Sequence, residues 1–247
     1  MINSVRNTVL SVINKNNYGY ISPSDFNLFA KQAQLDIFED YFYKFNYQVN
    51  KENARQSGTG LADVRKQYDD VISRFSTSVE LNNVTQNNYS IPSDCFYLNV
   101  VQYNATGAEI ERIAENKIRN LTASTIMAPT TAFPLYVYRE TSAAATLFGA
   151  TSSASIDVYP TTITGANDVS AFYIRYPKDP RWTYVTLSGG EPVFDSTALD
   201  YQDFELPLSD EPSLVMKILQ YAGISIREAD VYQASNAEDQ QENIAEK

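Results

Sequence analysis

Near residue 77 the spacing of apolar side chains changes from helical to strand-like, and this change limits the chain to an α+β fold. Before it, Ile2, Val5, Val9, Val12 and Ile13 recur by threes and fours over residues 2–15. Phe26, Phe29, Ala30, Ala33, Ile37, Tyr41 and Phe45 do so over 23–50, and Leu61, Val64, Tyr68, Val71, Ile72 and Phe75 over 61–75. After it, short alternating runs around Val79–Leu81, Tyr89–Ile91, Phe96–Tyr103, Glu109–Ile113, Phe133–Arg139, Ile156–Tyr159, Ala171–Tyr176 and Tyr184–Leu187 read as strands, with a short helix over Glu115–Ala123. On the strand of Phe96–Tyr103, the residues Phe96, Leu98 and Val100 are expected on one face. Phe204 and Leu206 end a last strand before Pro207; Leu214, Val215, Ile218, Leu219 and Ala222 then make a helix face that Gly223 terminates as an αL cap. The expected architecture is an N-terminal three-helix unit (residues 1–76), a mostly antiparallel sheet or sandwich (77–206) with a protruding loop at 141–155, and C-terminal helices with an extended polar tail (207–247). The three parts are expected to form one integrated structural domain.

The joint between the first two helices, NKNNYGYISPSDF (Asn14 to Phe26), has the register of a calcium-binding EF-hand loop, with Gly19 at the sixth position and Asp25 at the twelfth. The ligand set fails: Asn14 and Tyr18 stand where acids or amides must reach the ion, and a single short carboxylate makes a poor cage. The same residues serve well as a helix stop and start. Gly19 closes one helix, Ser22 caps the next, Pro23 takes its first position, and Asp25 reaches back toward the Ser22 amide. Ile21 and Leu28 are placed to staple the entry.

Three features exceed what a self-contained domain needs. Leu35, Phe38 and Phe42 widen the apolar stripe of the second helix, so it buries more than one face, between other elements or against another subunit. The uncharged run Thr141–Ser155 is too long for a tight hairpin turn and carries Leu147 and Phe148 at its centre. That pair suits a tip that docks on a partner, and equally a loop folded back on its own sheet. From Arg227 to Lys247 the chain is helix-competent but polar, and Val231, Ala234 and Ile244 are too sparse to hold it on a core, so docking into another subunit would order it. The candidate interface residues are therefore Phe38, Phe42, Leu147, Phe148, Val231, Ala234 and Ile244.

Composition narrows the chemistry. There is no histidine and one cysteine, Cys95, which removes His-based triads, most zinc sites and any disulfide within the chain. A net charge of −11 without a basic stripe argues against gripping nucleic acid. Gly189-Gly190 lacks the spacing and lysine of a phosphate loop. Glu191, Asp195, Asp200, Asp203 and Glu205 gather acids that would suit a glycosidase, but their spacing matches a solvated acidic loop better. Trp182, beside Arg181 and Tyr184, offers a sugar platform or an interface anchor, with a core tryptophan as the commoner alternative. No catalytic, cofactor or metal site is expected. The first residues lack the apolar run of a signal peptide, and nothing approaches the roughly 20 apolar residues of a membrane span.

NNYGYISPSDFNLFAKQAQLDIF (Asn16 to Phe38) and ENARQSGTGLAD (Glu52 to Asp63) resemble the N-terminal region of virion structural proteins of crAss-like tailed bacteriophages. EIERIAENKIRNLTAS (Glu109 to Ser124) and FELPLSDEPSLVMKILQYAGISI (Phe204 to Ile226) are similar to the same group, so the resemblance spans most of the chain. It implies a ring subunit of the neck or tail barrel, joining portal to tail, with copies of itself, the portal and neighbouring rings as partners and with DNA passing through without specific binding. It implies a place in the virion, assembled in the host bacterial cytoplasm. A tail-associated carbohydrate- or receptor-binding module using Trp182 and the tyrosines is the alternative.

Overall fold

Apolar residues at positions 2, 5 and 9 commit the start of the chain to a helix with one buried edge. The computed structural model describes residues 1–13, 21–53, 64–141 and 153–226, and in it α1 (Ile2–Ile13) buries Ile2, Val5, Arg6 and Val9. The helix α2 (Pro23–Asn53) starts on a cap. The Ser22 hydroxyl accepts from the Asp25 amide at 3.1 Å and donates to the Asp25 carboxylate at 2.6 Å. Asp25 was expected to reach the Ser22 amide; it meets the hydroxyl instead, being a carbon shorter than the Glu of a full capping box. Ile21 and Phe26 are buried while Leu28, the expected staple partner, is 65% exposed. Phe26 is the fourth helical residue, which is where a staple partner belongs. Ser22→Ala is expected to lower stability by about 1 kcal/mol, with Ser22→Thr recovering most of it. An unchanged urea midpoint for the alanine variant would remove the cap from the account. Residues 14–20, with Gly19 and Tyr18, lie outside the described residues. The third helix, α3 (Val64–Ser73), follows.

The chain forms two compact units: Ser73–Tyr176, and Met1–Ile72 together with Pro177–Lys247. The division moves two boundaries from where the periodicity put them. Residues 177–206, expected with the strands, belong with the helices, and the C-terminal helix is part of the same unit as the first ones.

Ser73–Tyr176 is a two-sheet sandwich. One sheet has the order β1 (Ser76–Glu80), β9 (Val169–Arg175), β4 (Cys95–Tyr103), β5 (Ala108–Glu109), all antiparallel. The other runs β2 (Asn83–Thr85), β3 (Asn88–Ser90), β8 (Ser153–Tyr159), β7 (Leu135–Thr141), β6 (Glu111–Arg112), antiparallel except for the β6–β7 pair. Val101 and Ala171 of the first sheet share a core with Tyr89, Tyr136, Ile156 and Val158 of the second. Ile110 explains why the expected strand 109–113 is broken in two. It is buried between β5 and β6, at the point where the chain steps from one sheet to the other, and its amide still bonds the Val101 carbonyl at 2.7 Å. The register of β4 shifts between Cys95 and Tyr97 and again between Leu98 and Val100. Those irregularities defeat simple alternation, so Cys95, Leu98 and Val101 pack on the core, whereas Phe96 turns to Tyr176 with ring centroids 5.1 Å apart. A short helix, α4 (Glu115–Ala123), falls where its pattern put it and buries Ile118.

The helical unit continues with the hairpin of β10 (Tyr184–Thr186) and β11 (Pro192–Phe194), whose turn holds Gly190 at φ +84°, a conformation that favours glycine. Phe204 and Leu206 are buried, as a core strand would have them, but they lie in no strand. Side chains serve this backbone instead of a ladder. Asp203 Oδ1 accepts from the amides of Ile2 and Phe204, both at 2.8 Å, which also sets a carboxylate at the N-terminus of α1. Gln34 Oε1 accepts from the Glu205 amide at 3.1 Å. After a 3-10 turn, Leu208–Asp210, comes α5 (Glu211–Ile226), which packs on α1 and α2 and buries Leu214, Ile218 and Ala222 completely. Gly223 is not a terminator: it is buried inside α5, which runs on to Ile226, so packing outweighs the roughly 1 kcal/mol that glycine costs a helix. Polar pairs join α5 and its leading turn to α2. Tyr221 donates to Asp36, Lys217 lies 3.5 Å from Asp40, and Tyr41 donates to Asp210 at 2.5 Å.

Candidate partner-binding surfaces

The sandwich unit carries a groove of about 600 Å³ beside α4. Its construction starts with Glu115, whose carboxylate lies 3.3 Å from Arg139 on β7; Arg139 also pairs with Asp157 on β8 at 2.7 Å. The helix is thereby tied to the sheet at its first turn, and Ile118 is sunk beneath it. Past Ala123 the chain is held by local bonds. The Ser124 amide returns to the Leu121 carbonyl at 3.1 Å, and the Ser124 hydroxyl takes the Met127 amide at 3.2 Å. Thr130 and Phe133 bond each other in both directions, at 3.3 and 3.1 Å. This ordered segment presents Ile126 at 92%, Met127 at 65% and Phe133 at 79% exposure. Large apolar residues fixed in water beside a concave, partly apolar surface make this a candidate interaction site. The sequence reading missed it. Phe133 was expected to open a strand that begins instead at Leu135; before it, Ile126 and Met127 sit near Pro129 with neither helix nor strand period.

The helical unit has an apolar surface of its own. Val185, Leu187 and Val193 in and beside the hairpin are about half exposed, and Leu199 is wholly so. Beneath the hairpin lies Trp182, 2% exposed. It stacks on Tyr184 (5.5 Å) and Phe194 (6.0 Å), carries the Arg6 guanidinium 3.8 Å from its ring, and donates from Nε1 to Asn3 at 3.1 Å. Its backbone amide donates to the Asn27 side chain at 2.8 Å. A tryptophan enclosed in this way is a core residue with no open face for a sugar.

The acids expected in one loop have separate structural duties. Asp203 caps α1, Asp200 pairs with Arg181 at 3.1 Å, and Glu205 accepts from the Lys178 amide at 2.8 Å. Asp195 accepts from the Thr197 hydroxyl and amide, which hold its carboxyl below the usual range. Burial, then the neighbouring Asp94 carboxylate, push the Cys95 thiol up to about 11, which favours its protonated form at neutral pH. Among the described residues no group of three acids or cysteines is placed to hold a metal ion, and no helix is long and apolar enough to cross a membrane.

Of the interface residues expected from sequence, Phe38 is wholly buried in its own unit, edge-on to Phe42 at 5.0 Å, which takes it off any free surface. Phe42 is half-buried. Leu147, Phe148, Val231, Ala234 and Ile244 lie outside the described residues. No protein-family model matches the chain, and no curated protein matches it.

Proposed function

We propose that this chain is a structural subunit of a tailed-phage virion: a ring or adaptor protein of the neck or tail barrel that assembles with copies of itself, the portal and neighbouring rings. The observation that carries the reading is an ordered, exposed apolar surface on each of the two units, around Ile126 and Phe133 on one and around Val185 and Leu199 on the other. A chain with two different adhesive patches makes heterologous contacts, and such contacts close into rings when the rotation between neighbours allows. The resemblance of the segments from Asn16 and from Phe204 to virion structural proteins points the same way. A net charge of −11 suits a surface past which DNA slides without adhering.

Two measurements test this. Mass photometry and negative-stain imaging of the purified chain should show closed assemblies of many copies, and protein analysis of purified virions should find the chain in stoichiometric amount. Leu199→Glu, at a fully exposed position, is expected to weaken assembly by about tenfold without loss of helical signal. Absence from virions would overturn the proposal.

A further inference from the structure

We infer that the groove beside α4 is the receptor for residues 227–247 of a second copy of this chain. The inference rests on the ring reading above and names the contact that would join one subunit to the next.

Charge selects the occupant. The chain as a whole carries −11, yet the groove wall has two cations, Arg112 and Lys117, against one acid, Glu111. Neither cation has a carboxylate partner among the described residues; the Arg112 guanidinium lies over the Tyr138 ring at 5.2 Å. Residues 227–247 hold six acids (Glu228, Asp230, Glu238, Asp239, Glu242, Glu246) and two cations (Arg227, Lys247), which gives −4. An acidic segment thus meets a groove whose wall is net positive.

Shape and anchoring agree. The groove presents Leu121, Ile126, Met127 and Phe133 as apolar contacts, and the bonds at Ser124 and Thr130 fix the last three in place before any partner arrives. Prior ordering of this kind lowers the entropic cost of binding on the groove side. The segment offers Val231, Tyr232 and Ile244, a few apolar residues in a polar stretch. Such a pattern is too thin to build a core and well suited to a preformed apolar slot. A subunit that lends this segment to one neighbour and receives that of another makes a head-to-tail contact repeated around a ring.

The test uses the full chain with a photo-crosslinking phenylalanine analogue at position 133, made as an equal mixture of isotopically light and heavy protein. Peptides from 227–247 carrying the other isotope should be captured. Lys117→Glu should cut that capture by about tenfold, and Glu238→Lys with Asp239→Lys in the same chain should restore it. Capture of same-isotope peptides only would assign the segment to its own chain and overturn the inference. Assemblies that crosslink elsewhere would overturn it too, leaving the ring reading intact. A chain that stays monomeric at high concentration, with no crosslink between copies, would remove the ring reading and this contact together.

Discussion

Trp182→Ala is expected to destabilise the helical unit by about 3–5 kcal/mol, the range for truncating a buried large aromatic. The indole is 2% exposed and joins two parts of the unit: α1 through Arg6 and Asn3, and the hairpin through Tyr184 and Phe194. Urea unfolding followed by far-ultraviolet circular dichroism gives the number. Trp182→Phe should recover much of the loss, since it keeps a stacked ring and gives up the bond from Nε1 to Asn3. As the only tryptophan, Trp182 also gives the unmutated protein a fluorescence signal belonging to this unit. A wild-type midpoint in the alanine variant would show that the ring is dispensable there.

Alkaline pH is expected to unfold the protein in a defined window. Burial, followed by the Asp94 carboxylate, raises the Tyr173 phenol from 10.0 to about 12, and the same two causes raise Cys95 from 9.0 to about 11. Tyr221 is raised by burial and by its bond to Asp36, and Tyr89, Tyr136 and Tyr201 are raised chiefly by burial. In each case the folded state holds the proton more tightly than the unfolded chain. The stabilisation is therefore complete below the unfolded values and is lost as pH rises through the folded ones. Stability should begin to fall near pH 9.0 and keep falling to about pH 12. Phenolate absorbance should show a late group of tyrosines whose ionisation coincides with loss of structure. Asp94→Asn should bring the ionisation of Tyr173 earlier. If all 18 tyrosines titrate together near pH 10.0 with the fold intact, these phenols are not buried as described.

The helices were legible because their period is long and their caps are local. Ser22-Pro23 and the pattern of Glu115–Ala123 state their positions within a few residues. The strands were harder. β2, β5 and β11 have two or three residues, too few for a period to show. The irregular register of β4 moved Phe96 off the face that strict alternation assigns it. The stretch around Phe204 and Leu206 looks like a strand because it is buried, but side chains satisfy its backbone, the adjacent Asp203 at Phe204 and the sequence-distant Gln34 at Glu205. The candidate interface was the least legible part. Phe38 was chosen for being apolar beyond what one helix face needs, and the core used it. Ile126 and Met127 have no period, Phe133 precedes the strand it was assigned to, and the turn bonds at Ser124 and Thr130 hold all three in an exposed segment.

The pairing of β1 with β9 sets how far apart the ends of the sandwich lie. The sandwich is entered and left on adjacent strands, with Ser76 opposite Ile174 and the Arg175 amide bonded to Phe75 at 3.0 Å. Its two ends are thus about one strand spacing, roughly 5 Å, apart. In sequence it is a single insertion between Ile72 and Pro177 of the helical unit. A circularly closed or transplanted sandwich therefore needs only a short linker between its ends to keep its strand pairing.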